Sequence, residues 1–368
     1  MEIKESQYNF SEMHQRMQFY VDAGILPCCA TAVFKGTDLV DHQTFGFMDL
    51  ETREPLRDDA IYRMASNTKL VTSVALMMLQ EEGLFELDDP LAKFIPEFGD
   101  LQVLQPDATT AADVHPAKNL ISIRHLLSHS AGLSYGFVEP DSVIDQCYLN
   151  GGVNGLGEKD IDLEELCAGI AKLPLAFEPG TSWRYSFATD VCARLVEVLS
   201  GQSFDAFLRQ RILNPLGMMD TDVWVPQEKA HRLITMYSPE DLFDPMKPGL
   251  NKADDVITGP YRARPKMLSG GGGLVSTVAD YSAFLRMIVN EGEWSGAQLL
   301  KPETLRLMRS NHLADGVQVA FPMWAMPGTV FGLGFAVKNK LQPNDPPAAL
   351  GEYHWGGLAG THSWMAPE

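Results

Sequence analysis

Ser66 and Lys69 stand three residues apart at the head of an apolar run, Leu70 to Leu79, that contains no charged residue. The run is long enough and uniform enough to predict a buried helix from about Asn67 to Glu82, ended at Gly83. Positions i and i+3 share a helix face. The spacing therefore puts the Lys69 amine beside the Ser66 hydroxyl, in a low dielectric at a helix N-terminus. Burial disfavours a charged lysine, and a neutral amine can take a proton from serine, which makes Ser66 a nucleophile without histidine. An N-capping serine followed by a solvated lysine carries the same letters. The uncharged helix behind Lys69 favours the chemical reading.

The rest of the chain is ordered around this stretch. An amphipathic helix is expected from Asn9 to Gly24, with Phe10, Met13, Met17 and Val21 at helical spacing. Two strands, Cys29–Phe34 and Leu39–Gly46, read as a hairpin across Lys35-Gly36-Thr37-Asp38. From Leu91 to Gly217 the pattern is mostly helical: a short helix Ser122–Ser130 closed by Gly132, then Leu163–Leu173 and Val191–Ser200. Asn214-Pro215-Leu216-Gly217 ends another. Between Asp220 and Pro265 no regular element is predicted. A helix from Thr277 to Asn290 follows Gly270–Gly273, and strands are expected over Phe331–Val337 and Tyr353–Trp355. The order implies a fold of the α/β (α+β) class, an antiparallel sheet flanked by helices plus a mostly helical subdomain. The sheet part takes about 1–90 and 265–368, the helical part about 91–264, of one catalytic domain.

Composition excludes several functions. A net charge of −19 disfavours nucleic acid and anionic membrane surfaces. No run of about 18 apolar residues suggests a span, and the start of the chain has no basic-then-apolar leader. The five cysteines, at 28, 29, 147, 167 and 192, are odd in number and form no C-x-x-C pair. They read as reduced thiols of a cytoplasmic protein rather than metal ligands.

Two further motifs carry chemistry. Tyr185-Ser186, following Glu178-Pro179-Gly180, could bring a phenol to Lys69, whose charge would stabilise a phenolate; a packed loop tyrosine is the plainer alternative. His354-Trp355-Gly356-Gly357-Leu358 lies on a C-terminal strand where two glycines would let the backbone approach a ligand closely. A free strand N–H there, with that of Ser66, would make an oxyanion hole; glycines kept for packing at a bulge are the alternative. There is no G-x-S-x-G. His125 and His129 are four apart but lack the glutamate of H-E-x-x-H, so they read as structural. Gly270–Gly273 lacks the Lys-Ser/Thr of a phosphate loop and reads as a tight turn.

Taken together, these stretches resemble the class C β-lactamase family and its esterase branch, the family VIII carboxylesterases. The resemblance adds Leu126-Leu127-Ser128-His129-Ser130-Ala131-Gly132-Leu133, Asn214-Pro215-Leu216-Gly217-Met218 and Gly271-Gly272-Gly273-Leu274, in family order over nearly the whole chain. It implies a β-lactamase-like fold, Ser66 as acylated nucleophile, Lys69 and Tyr185 as base pair, and Leu358 as donor of the second oxyanion N–H. It implies no metal and no cofactor. Phe187 stands where β-lactamases place an amide-binding Asn, and Trp355-Gly356-Gly357 replaces their Lys-Thr-Gly. These changes remove polar recognition and make Phe187, Trp355, Gly356 and Gly357 the expected substrate contacts. A site of that kind should prefer short-chain carboxylic esters, with at most weak β-lactamase side activity. A β-lactamase or D-amino-acid peptidase is the rival enzyme, and a catalytically dead penicillin-binding-like module the rival non-enzyme. Family members usually continue with a strand and a helix beyond the position of Glu368, and their loss would expose a sheet face.

Overall fold

The computed structural model describes residues 2–4, 7–153, 160–241, 244–254, 259–321 and 325–367. It is a mixed α/β chain in which every strand ladder is antiparallel. The chain divides into two compact units. This division follows a different line from the sheet and helical parts expected above.

The first unit comprises Met1–Met64, Leu213–Pro265 and Leu274–Gln298. Its first helix is Ser11–Asp22, shorter at both ends than expected. Asn9 accepts from the Ser11 N–H at 2.9 Å and forms a turn ahead of the helix. The predicted hairpin is present as Cys28–Lys35 and Asp38–Asp49, in register from Cys28 opposite Gly46. Helix Val278–Val289 is capped by Thr277, whose Oγ1 accepts from the Asp280 N–H at 3.1 Å. A second hairpin, Met236–Pro239 with Leu250–Asp254, occupies a stretch for which no element was expected.

The second unit comprises Ala65–Ile212, Lys266–Gly273 and Leu299–Glu368. At its centre the Thr68–Glu81 helix is buried at every residue from Thr68 to Leu79. It packs on the Ala188–Ser200 helix, which ends at the left-handed Gly201. Helix Leu163–Ile170 stops short of Leu173, because Pro174 disfavours the helical conformation at the residue before it. A short hairpin, Gln102–Leu104 with Val114–Pro116, interrupts the helical stretch.

The expected strand Phe331–Val337 is two strands, Thr329–Phe331 and Ala336–Lys338, folded back on each other. Gly334, at φ +97°, makes the turn. A side chain there would overlap Ser73 Oγ on the Thr68–Glu81 helix. These strands continue through Tyr353–Gly356 to an edge strand, His362–Met365, that sequence reading missed. Among the described residues no helix is long and apolar enough to cross a membrane.

Candidate active site

Ser66 sits in a single tight turn, Ala65–Asn67, that leads into the buried helix. Ala65 is held at φ +44°, an unfavourable conformation for a residue with a Cβ. Lys69 follows one turn later and is 2% exposed. Its Nζ donates to Ser66 Oγ at 3.3 Å, to the Tyr135 hydroxyl at 2.9 Å and to the Gly271 carbonyl at 2.6 Å. The Tyr185 hydroxyl lies 2.5 Å from Ser66 Oγ. Lys69, three residues away, and Tyr185, 119 residues away, thus meet at the Ser66 oxygen.

Tyr185 is fixed from several sides. The preceding residue, Arg184, donates its backbone N–H to the His129 carbonyl at 2.9 Å. The following residue, Ser186, pairs its hydroxyl with His129 Nδ1 at 3.3 Å. The Tyr185 ring packs against His129, Tyr135, Phe321 and Trp355 at centroid distances of 5.1–5.3 Å. Trp355 Nε1 donates to the Tyr185 hydroxyl at 3.4 Å. Burial, then the nearby Lys69 charge, push the His129 imidazole well below its ordinary pKa. His129 is off the preceding helix, at φ +55°, and His125 caps that helix by accepting from the Ser122 N–H. No cluster of three or more metal-ligating side chains occurs among the described residues.

The C-terminal motif is tied to the nucleophile through Asn67. Its Nδ2 donates to Thr361 Oγ1 at 3.0 Å, and its Oδ1 accepts from Ser363 Oγ at 3.1 Å. Leu358 lies in the turn between these two strands and is exposed. Among the described residues neither the Ser66 nor the Leu358 backbone N–H has a hydrogen-bond partner.

Phe187 is not a surface of the site. It is 1% exposed, with its ring 4.6 Å from Tyr135 and stacked on Tyr148 at 6.3 Å. Its apolar bulk is used to support Tyr135 from behind, not to meet a substrate. Trp355 is also buried, at 3% exposure, and reaches the site only through its indole N–H. Gly356 has a structural reason to be glycine: a Cβ there would stand 2.8 Å from His362 Nδ1 on the neighbouring strand. Gly356 and Gly357 are half-buried, and Gly357 donates to the Thr361 carbonyl across the turn.

Sequence reading missed Tyr135, Asp190, Ser269 and Gly271. Asp190 is 1% exposed in the Ala188–Ser200 helix. It accepts from Ser269 Oγ at 2.6 Å, from the Gly271 N–H at 3.0 Å and from the Tyr135 hydroxyl at 3.4 Å. Burial and the Asp190 charge hold the Tyr135 phenol well above its ordinary pKa, so it stays protonated. The one available signal was a lone carboxylate on the apolar stripe of its helix. The glycine run is a tight turn, as expected, and it also hands a carbonyl to Lys69.

The sequence profile of the beta-lactamase family matches residues 13–368. An uncharacterized protein of Mycobacterium tuberculosis is 34% identical over 352 residues, covering 94% of this chain and 84% of its own. Esterase EstB of Burkholderia gladioli is 28% identical, covering 87% of this chain and 77% of its own. Among solved structures, EstCE1, a hydrolase with promiscuous acyltransferase activity, superposes with a TM-score of 0.81 at 24% identity. That match covers 97% of this chain and 90% of the other.

Proposed function

Because the chain belongs to the beta-lactamase family, we propose that it is a carboxylesterase that cleaves short-chain esters through an acyl-enzyme on Ser66. The family fold hosts esterases, EstB among the relatives. The observation that carries the reading is the 2.5 Å contact between the hydroxyls of Tyr185 and Ser66 beside a buried Lys69.

In this mechanism Ser66 Oγ attacks the ester carbonyl carbon while the Lys69/Tyr185 pair takes up the Ser66 proton, Tyr185 accepting it as it passes its own toward Lys69. The backbone N–H groups of Ser66 and Leu358 receive the developing oxyanion. The pair then returns the proton, through Tyr185, to the departing alkoxide. A water repeats the sequence on the acyl-enzyme and frees Ser66. Aromatic rings pack closely on Tyr185, an apolar setting that suits an uncharged ester. The five unpaired cysteines fit a reducing, cytoplasmic setting.

Esters are favoured over β-lactams because Trp355 replaces a lysine that would hold a substrate carboxylate. A charge-assisted hydrogen bond of that kind contributes about 1.5–3 kcal/mol. Its absence lowers kcat/KM for a cephalosporin by roughly 10- to 100-fold, at about 1.4 kcal/mol per decade. The test is turnover of p-nitrophenyl acetate and butyrate beside a chromogenic cephalosporin. The esters should be the faster substrates, and long acyl chains should be slow. A cephalosporin hydrolysed faster than the butyrate ester would overturn the choice of substrate.

A further inference from the structure

We propose that Asn67, acting through Thr361, is a positioning residue that holds the Leu358 N–H at its working distance from the Ser66 N–H. The proposal rests on the acyl-enzyme reading above and adds to it the device that keeps the oxyanion hole assembled. Asn67 takes no part in bond making.

An oxyanion hole requires both donors to stand about 2.7–3.1 Å from the oxygen that gains charge. The two donors here are carried by very different backbone. Ser66 belongs to the turn at the head of a helix that is buried from Thr68 to Leu79. Leu358 is 63% exposed, in the turn that joins strands Tyr353–Gly356 and His362–Met365. That turn includes Gly357 and Gly360, the latter at φ +82°, so its own sequence gives it little stiffness. Two backbone bonds close it: Gly357 donates to the Thr361 carbonyl at 2.7 Å, and Gly360 to the Gly357 carbonyl at 2.9 Å. They tie the turn to itself and do not set its distance from Ser66.

Asn67 supplies that second tie. It is 1% exposed, and it reaches from the residue after Ser66 to the strand that leaves the turn. Nδ2 donates to Thr361 Oγ1 at 3.0 Å, and Oδ1 accepts from Ser363 Oγ at 3.1 Å. Thr361 is the shared partner. Its hydroxyl receives Asn67, the neighbour of Ser66, and its carbonyl receives Gly357, the neighbour of Leu358. Thr361 thus joins the residues next to both oxyanion donors.

A buried amide is costly unless its hydrogen bonds are made. An apolar side chain would fill the same space without that demand, so what the amide adds is geometry. Thr361 and Ser363 are two residues apart, and both hydroxyls therefore face Asn67 from one side of the strand. A slip of one residue against Tyr353–Gly356 would turn both away. The amide reads the register of His362–Met365 and, with it, the length of the turn that carries Leu358. Ser363 bonds the same amide from within the ladder, opposite Trp355, whereas Thr361 bonds it from the foot of the turn. Loss of the Thr361 hydroxyl should accordingly matter more to Leu358 than loss of the Ser363 hydroxyl.

The test compares Asn67→Ala, Thr361→Val, Thr361→Ser and Ser363→Ala on p-nitrophenyl butyrate and on its thionoester, in which sulfur replaces the carbonyl oxygen. Sulfur is a weak hydrogen-bond acceptor, so the ester-to-thionoester ratio of kcat/KM reports the oxyanion hole and not general packing. Asn67→Ala and Thr361→Val should lower kcat for the ester on the order of 10-fold or more, with KM changed less. The ratio should fall by a similar factor in both. Thr361→Ser keeps the hydroxyl and should stay within about 2-fold of wild type, with Ser363→Ala in between. A wild-type ratio in folded Asn67→Ala overturns the proposal; if that variant does not fold, a wild-type ratio in Thr361→Val overturns it equally. A ratio lowered more by Ser363→Ala than by Thr361→Val also overturns it. Labelling of wild-type Ser66 by a fluorophosphonate separates the two levels: no adduct sinks the acyl-enzyme reading, whereas an adduct with an unmoved ratio sinks only the role of Asn67.

Discussion

Arg63 and Lys69 are both buried basic side chains, six residues apart in sequence, and they are held in different ways. Arg63, 7% exposed, donates to Asp254 at 2.5 Å and to the Ile234 carbonyl at 2.6 Å, with its guanidinium 5.8 Å from the Tyr261 ring centroid. Its charge is cancelled in contact, which suits a fixed strut. Lys69, 2% exposed, touches three neutral oxygens. One of them, Ser66 Oγ, becomes the ester oxygen in the proposed acyl-enzyme, while Asp190 stands behind the other two, accepting from the Tyr135 hydroxyl and the Gly271 N–H. The strut and the lysine beside the nucleophile thus differ in whether a carboxylate is in contact.

That contrast can be broken first at Lys69. Lys69→Arg keeps the charge but puts a planar fork where three acceptors converge on one nitrogen. Ester hydrolysis should fall by on the order of 10³-fold or more, while the thermal transition moves little. Activity near wild type would show that a generic cation suffices.

Tyr185→Phe sharpens the same contrast from the other partner of Ser66. Its loss should cost roughly 10²- to 10⁴-fold in kcat/KM, the span of a general acid–base group. A variant as active as wild type would remove Tyr185 from proton transfer.

The smallest effect on activity belongs to Arg63. Arg63→Met should destabilise by about 3 kcal/mol, because Asp254 is left largely buried without its partner. Turnover per folded molecule should stay within about 2-fold of wild type. Denaturant midpoint and active-site titration together check this. A large loss of turnover in fully folded protein would mean that the two side chains are not separable in role.

The strength of the sequence lay in local spacing. Ser66 and Lys69 are one helical turn apart, so their neighbourhood follows from the uncharged run behind them. The hairpin of 28–49 and the Thr277-capped helix were equally local. Tyr185 could be placed at Ser66 through its motif and family order, because nothing in its own surroundings aims it 119 residues back. Tyr135 and Asp190 carry no motif at all, and their roles arise only when the Ala188–Ser200 helix packs on the Thr68–Glu81 helix. Phe187 misled for a related reason: position in a motif identifies a residue's place along the chain, whereas its side chain turned into the core behind Tyr135. Phe331–Val337 looked continuous because Gly334 weakens a strand pattern only slightly, while its turn is demanded by the helix pressed against it.

The most direct test of the account is intact-mass spectrometry of wild type and Ser66→Ala during turnover of a slow p-nitrophenyl ester, followed by peptide mapping. The account predicts a single acyl adduct on wild type, mapped to Ser66, and none on Ser66→Ala, whose hydrolysis should fall by on the order of 10³-fold or more. An acyl adduct on Ser66→Ala, or wild-type acylation at another residue, would contradict it.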